Sequence, residues 1–376
     1  MSLLPPFHRG ISTLKTVDPM SFAMQFKQQS IRFIAGCLAL SLVACGGGGG
    51  DEQAASPEGE GAEAAAEAEA GGGVSGDVMV DGSSTVFPIS EAMAEEFMGA
   101  NSESRVTVGV SGSGGGFKKF CAGETDISNA SRPIKESEIE ICQEAGIDFV
   151  ELPVAFDGLS VVVNKENDWA ACLKPEELGK MWAPEAEGAI SNWNQIRADF
   201  PDTELSLYGP GTDSGTYDYF TDAATGEEGE SRGDYTASED DNVIVQGVSS
   251  DSGGLGFFGF AYYAENKDKL KIVEIENAEG ECVTPSEDTI ADGSYNPMAR
   301  PIFIYVSTKS LEENPAVKAF VDFHLSPDNA GLVSEVGYVP LPSDLKAKAA
   351  ERFNSTTTGS IFEGGSSLGV KLSDKL

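Results

Sequence analysis

The chain has 376 residues, 61 of them acidic and 25 basic, for a net charge of −36. A nucleic-acid binder needs a basic face for phosphate contacts, so that class is excluded. With a single histidine beyond residue 44 and no CxxC pair, the composition also argues against a metal centre.

Lys27 and Arg32 precede an apolar run, Phe33–Ala44, that is too short to span a membrane. Residues 1–44 therefore read as a signal peptide, with Met24 as an alternative start. Leu42-Val43-Ala44-Cys45 resembles a bacterial lipobox, which makes Cys45 the expected lipidated N-terminus. Residues 45–75 form an acidic, Gly/Ala-rich linker with nothing to bury, so disorder is expected.

From Val78 the pattern alternates between strands and helices. Val78–Val80, Val106–Val110 and Asp126–Ser128 read as strands; Pro88–Met98 and Ile134–Ala145 read as helices. Phe149–Val154 and Leu159–Asn164 read as two further strands, with Asp157-Gly158 between them. Pro175–Trp182 is an expected helix, Leu205–Tyr208 a strand and Asn242–Ser249 a helix. Phe303–Ser307 is an expected strand, followed by helices over Ala316–Leu325, which contains His324, and Asp328–Val336. Repeated βα units imply an α/β fold with mainly parallel sheets flanked by helices. The span is long for one core, so two lobes are expected: 76–155 with 257–350, and 156–256. The Ser/Thr/Gly-rich residues 351–376 read as a loose tail.

Three stretches far apart in sequence share one chemistry: Gly82-Ser83-Ser84-Thr85, Ser111–Gly116 and Gly211–Thr216. Each precedes an expected helix, whose N-terminus offers unpaired N–H groups and the positive end of the macrodipole. Glycines admit a ligand close to the backbone, and hydroxyls add neutral donors. Any one of them reads equally well as ordinary capping. Converging, they would form a small-oxyanion site. The chain's acidity does not forbid this, because salt screens exposed charge over about 8–10 Å.

Cys121, Cys142, Cys172 and Cys282 suggest two disulfides in an exported chain, with three pairings possible. Cys121–Cys142 is favoured because it would join neighbouring helices, leaving Cys172–Cys282. Gly254–Gly259 spells GxGxxG but reads as a turn entering an apolar strand rather than a dinucleotide fingerprint. With His324 alone, no Ser-His-Asp arrangement is available, so no catalytic residues and no cofactor are expected.

Gly82–Pro88, Ser113–Gly116, Asn129–Pro133, Asp157-Gly158 and Asp213–Thr216 together resemble the phosphate-binding proteins of bacterial phosphate ABC transporters, the PstS family with its SphX-like branch. The resemblance runs from about Asp77 to Pro342. It implies a two-lobe periplasmic binding protein of type II, a monomer, with inorganic phosphate in the cleft and a permease as partner. The membrane would be touched only through the lipid. The expected phosphate-binding set is Ser84, Thr85, Ser113, Ser131, Arg132, Asp157, Asp213, Ser214, Gly215 and Thr216. Two departures stand out: Arg132 replaces an Asp of the best-known members, and Pro210-Gly211 stand where those carry an Arg. These leave open a receptor for sulfate or molybdate, with Asp157 or Asp213 as the carboxylate that accepts phosphate's proton. Less favoured are a serine hydrolase or phosphatase using Ser113 or Ser214, and a structural surface lipoprotein.

Overall fold

The computed structural model describes residues 73–376; the leader, Cys45 and nearly all of the acidic linker lie outside them. Strand β1 (Gly76–Gly82) buries Val78 and Val80 and leaves Met79 outside, the period of two of a strand. Helix α1 (Phe87–Ala100) starts with Pro88 in its first turn and buries Ile89, Met93 and Phe97 on one stripe. Phe97 meets Phe320 and Phe323 edge-on, at 5.4 and 5.6 Å between ring centroids. β2 (Ser104–Val108), α2 (Gly112–Cys121), β3 (Ile127–Ala130) and α3 (Glu136–Glu144) follow. β1 pairs in parallel with both β2 and β3, as repeated βα units require.

The centre of the sheet departs from the expectation. Phe149–Val163 is one buried strand of 15 residues, β4, rather than two. Asp157-Gly158 is not a turn. At Gly158 the Ile290 side chain packs against the strand, and a Cβ there would lie 2.4 Å from Ile290 Cδ1. β4 runs antiparallel to the buried strand Ala299–Ser307 along its first part and to Gly254–Gly259 along its last. Beyond it, Ser206–Gly209 pairs in parallel with Gly254–Gly259. The sheet is thus parallel in its outer parts and antiparallel where the long strands cross. The lobe boundary expected at residues 155/156 falls inside β4. Gly254–Gly259 is itself a strand, and a short helix, Phe260–Asn266, follows it.

Helices α4 (Pro175–Trp182), α5 (Gly215–Thr225) and α6 (Asp241–Ser250) cover the second part. There Phe220 stacks on Phe257 at 3.7 Å, and Trp182 meets Phe257 edge-on at 5.0 Å. Cys121–Cys142 joins α2 to α3, and Cys172–Cys282 closes a separation of 110 residues.

The expected loose tail is packed instead. Phe362 and Leu372 are buried, and the Phe362 ring lies edge-on to Phe303 at 5.7 Å. Buried Glu151 accepts from Ile361 N–H at 2.9 Å and from the Tyr305 hydroxyl at 2.7 Å. The Tyr305 oxygen in turn accepts from Ile134 N–H at 2.8 Å. Composition suggested looseness, but a few apolar side chains and one buried carboxylate suffice to anchor the segment. His324 is buried in the helix Pro315–Leu325, and burial together with nearby Lys346 pushes its pKa down to about 4.

Candidate anion-binding site

Two close approaches assemble the site. A Cβ on Gly116 would lie 2.6 Å from Gly82 Cα, so α2 runs hard against the end of β1. A Cβ on Gly215 would lie 2.1 Å from Thr85 Oγ1 and 3.1 Å from Ser84 Oγ. The first turn of α5 is therefore seated on the Ser84-Thr85 turn, about 130 residues away in sequence, and only glycine fits there. The turn is fixed locally: Ser83 N–H donates to Asn129 O, Thr85 N–H donates to Ser83 Oγ at 3.2 Å, and Ser111 N–H donates to Gly82 O.

On α2, the buried Ser113 hydroxyl lies 3.1 Å from Ser131 Oγ and accepts from Ser131 N–H at 3.1 Å. This ties the end of β3 to the N-terminus of α2. On α5, Ser214 is the N-cap, and its Oγ accepts from Thr216 N–H at 3.2 Å. The structure thus unites Ser84, Thr85, Gly215 and the Ser214 cap, and joins Ser113 to Ser131 beside the end of β1. Hydroxyls, free helix-terminal N–H groups and a positive dipole end are neutral or partly positive donors suited to a small anion.

The charged members are arranged less simply. Arg132 is clasped by Glu138 through two bonds, Nη1 to Oε2 at 2.9 Å and Nη2 to Oε1 at 2.8 Å, and also donates to Pro133 O. Burial opposes its charge, but Glu138 outweighs burial and the pKa is raised. Asp157 is buried in β4, and desolvation raises its pKa against the pull of Arg300, whose Nη2 lies 3.4 Å from its Oδ2. Asp213 is exposed. Asp218, one turn into α5 and half-buried, is pushed up to about 6 by burial and by the Glu228 carboxylate, with Arg300 acting in the opposite direction.

Arg300 was missed at the sequence level. It occupies the strand Ala299–Ser307 directly opposite Asp157, its side chain is 7% exposed, and its guanidinium lies 3.8 Å over the Tyr219 ring. Its Nη2 also reaches Gly215 O at 3.5 Å, on the first turn of α5. One signal was available. Pro297–Val306 is an apolar run with a single charge, and a lone buried charge demands a partner.

Comparison with known proteins gives the family. The model of a PBP superfamily domain matches residues 67–328. The protein SphX of Synechococcus elongatus is 54% identical over 300 residues, covering 80% of this chain and 88% of that protein. The phosphate-binding protein PstS of Staphylococcus saprophyticus is 40% identical over 269 residues, 71% of this chain and 81% of its own. The crystal structure of a possible phosphate-binding protein from Planctomyces limnophilus superposes with a TM-score of 0.70 at 47% identity, covering 76% of this chain and 99% of that one. The chain belongs to the PBP superfamily and, within it, to the family of SphX and PstS phosphate-binding proteins.

Proposed function

We propose that this protein is a receptor for inorganic phosphate that delivers its cargo to an ABC transporter permease. The observation that carries the reading is the seating of the capped α5 N-terminus on the Ser84-Thr85 turn, beside the paired hydroxyls of Ser113 and Ser131. These groups supply convergent donors from distant parts of the chain. The names of the relatives supply the ligand class. Ser84, Thr85, Ser113, Ser131, Arg132, Ser214, Gly215 and Thr216 form the donor set, with Asp157 behind it. The protein acts in the periplasm as a monomer, held by a lipid on Cys45, and performs no chemistry. Lobes 76–155 with 257–350 and 156–256 close over the anion by bending the crossing strands, the hinge motion such two-part binders use.

Phosphate keeps a proton near neutral pH and sulfate does not, so a carboxyl in the site discriminates between them. Asp218 suits that role better than Asp213, because it is half-buried on the first turns of α5 and stays mostly ionised at neutral pH with its pKa pushed up to about 6. Calorimetry with phosphate, arsenate and sulfate tests the reading. Phosphate and arsenate should bind and sulfate should not. Equal binding of sulfate would show a general oxyanion receptor, and turnover of a phosphate ester would show an enzyme.

A further inference from the structure

The two arginines differ in how their donors are used. A guanidinium carries five N–H groups in a fixed plane. Arg132 spends three on Glu138 and Pro133 at ordinary distances, 2.8–3.1 Å. Arg300 makes two contacts, both through Nη2 and both at the long limit of a hydrogen bond, 3.4 and 3.5 Å. Its Nε is buried without a partner. Buried polar atoms are almost always satisfied, and a charged donor left unsatisfied is costlier than a neutral one. The stack on Tyr219 holds the plane of the guanidinium and leaves its edges for hydrogen bonds.

A second, independent feature adjoins it. The Gly215 carbonyl that Arg300 touches belongs to the first turn of the 11-residue helix α5, whose N-terminal N–H groups, Ser214 cap and neighbouring Thr85 hydroxyl form the candidate site. Asp157 keeps the buried cation neutralised as a pair without using up its donors.

We propose that Arg300 is a direct ligand of the anion bound at the N-terminus of α5, with Asp157 as its counter-ion. The formal positive charge in the pocket then comes from the buried strand Ala299–Ser307 and not from any of the Ser/Thr-Gly stretches. This rests on the reading of the site as a phosphate site. Arg132 becomes a secondary donor whose charge Glu138 already balances.

Calorimetry with inorganic phosphate on the full-length chain tests it, with melting of each ligand-free variant as the check on folding. Three variants are compared: Asp157→Asn, the pair Arg300→Met with Asp157→Asn, and Arg300→Lys. Asp157→Asn keeps the guanidinium and serves as the reference against which the double variant is read. The double variant removes the ion pair without stranding a carboxylate, and should bind at least about 30-fold more weakly than Asp157→Asn, the scale of lost charge-assisted hydrogen bonds. Arg300→Lys should lose about tenfold, because an ammonium cannot present two parallel donors. Equal affinities of the double variant and Asp157→Asn would make the pair purely structural and overturn the proposal. Should Asp157→Asn not fold, Arg300→Lys decides alone, and affinity within twofold of wild type overturns it. Wild-type protein that binds no phosphate overturns the reading of the site itself, and this inference with it.

Discussion

Arg132 and Arg300 stand at opposite kinds of location around one candidate site. Arg132 belongs to a locally built corner: it follows β3, its partner Glu138 is six residues away, and its side chain is 20% exposed. Arg300 belongs to a corner built by topology: its partner Asp157 is 143 residues away on a neighbouring strand, and neither side chain exceeds 7% exposure. The same functional group is therefore a partly solvated, satisfied ion pair in one place and a desolvated, underused one in the other. The local dielectric decides how much each charge can do for an anion, because Coulomb energy grows as water is excluded.

The contrast is broken most forcefully by Arg300→Met alone. It strands the Asp157 carboxylate in the core, and removing one member of a buried pair costs about 3–5 kcal/mol. Urea denaturation should show that loss at neutral pH and recover much of it under acid, where Asp157 takes up a proton. A stability change under about 1 kcal/mol would place water around the pair and remove the contrast. Next in size is Cys121→Ser. It opens the link between α2, which carries Ser113, and α3, which carries Glu138. A bridge closing a loop of this length contributes about 3 kcal/mol. Chemical denaturation of the oxidised proteins measures it, and no change would mean the tie is redundant with packing.

Arg132→Lys comes third. Replacing the fork that meets Glu138 should weaken phosphate binding by roughly 1 kcal/mol, less than Arg300→Lys, because Glu138 and Pro133 already take three of its donors. Ligand-free melting should hardly move, since partly exposed pairs are worth little. Affinity within twofold of wild type would leave Arg132 outside the donor set. The smallest effect belongs to Asp218→Asn, and its sign depends on pH. Asp218 titrates near 6 in the fold against an ordinary carboxylate value of 3.8, so its ionisation costs stability as pH rises through that window. The Asn variant should melt higher than wild type above pH 6 and match it near pH 4. It should also narrow the preference for phosphate over sulfate. An unchanged preference would remove Asp218 from discrimination.

Much of this molecule was legible locally. The Ser/Thr-Gly stretches announce helix starts because capping and glycine conformations are properties of a few adjacent residues, and Ser214 caps α5 as that chemistry requires. Periodicity placed α1, with Ile89, Met93 and Phe97 inward, and the Val78-Val80 face of β1. The favoured cysteine pairing followed from the helices that flank Cys121 and Cys142. Other features were not legible. Asp157-Gly158 has the composition of a turn, yet β4 runs straight through it, because both residues pair with Ala299 and Arg300 on a strand from far along the chain. The tail has the composition of a loose end, yet Phe362 and Glu151 fasten it. Sequence by itself determined which segments could donate to an anion, since donor chemistry and helix termini are encoded within a few residues. The tertiary structure alone decided that Gly215 would rest on Thr85 and that a lone arginine in an apolar strand would stand beside them. Contacts between residues 85 and 143 positions apart are set by strand order and packing, which no local pattern specifies.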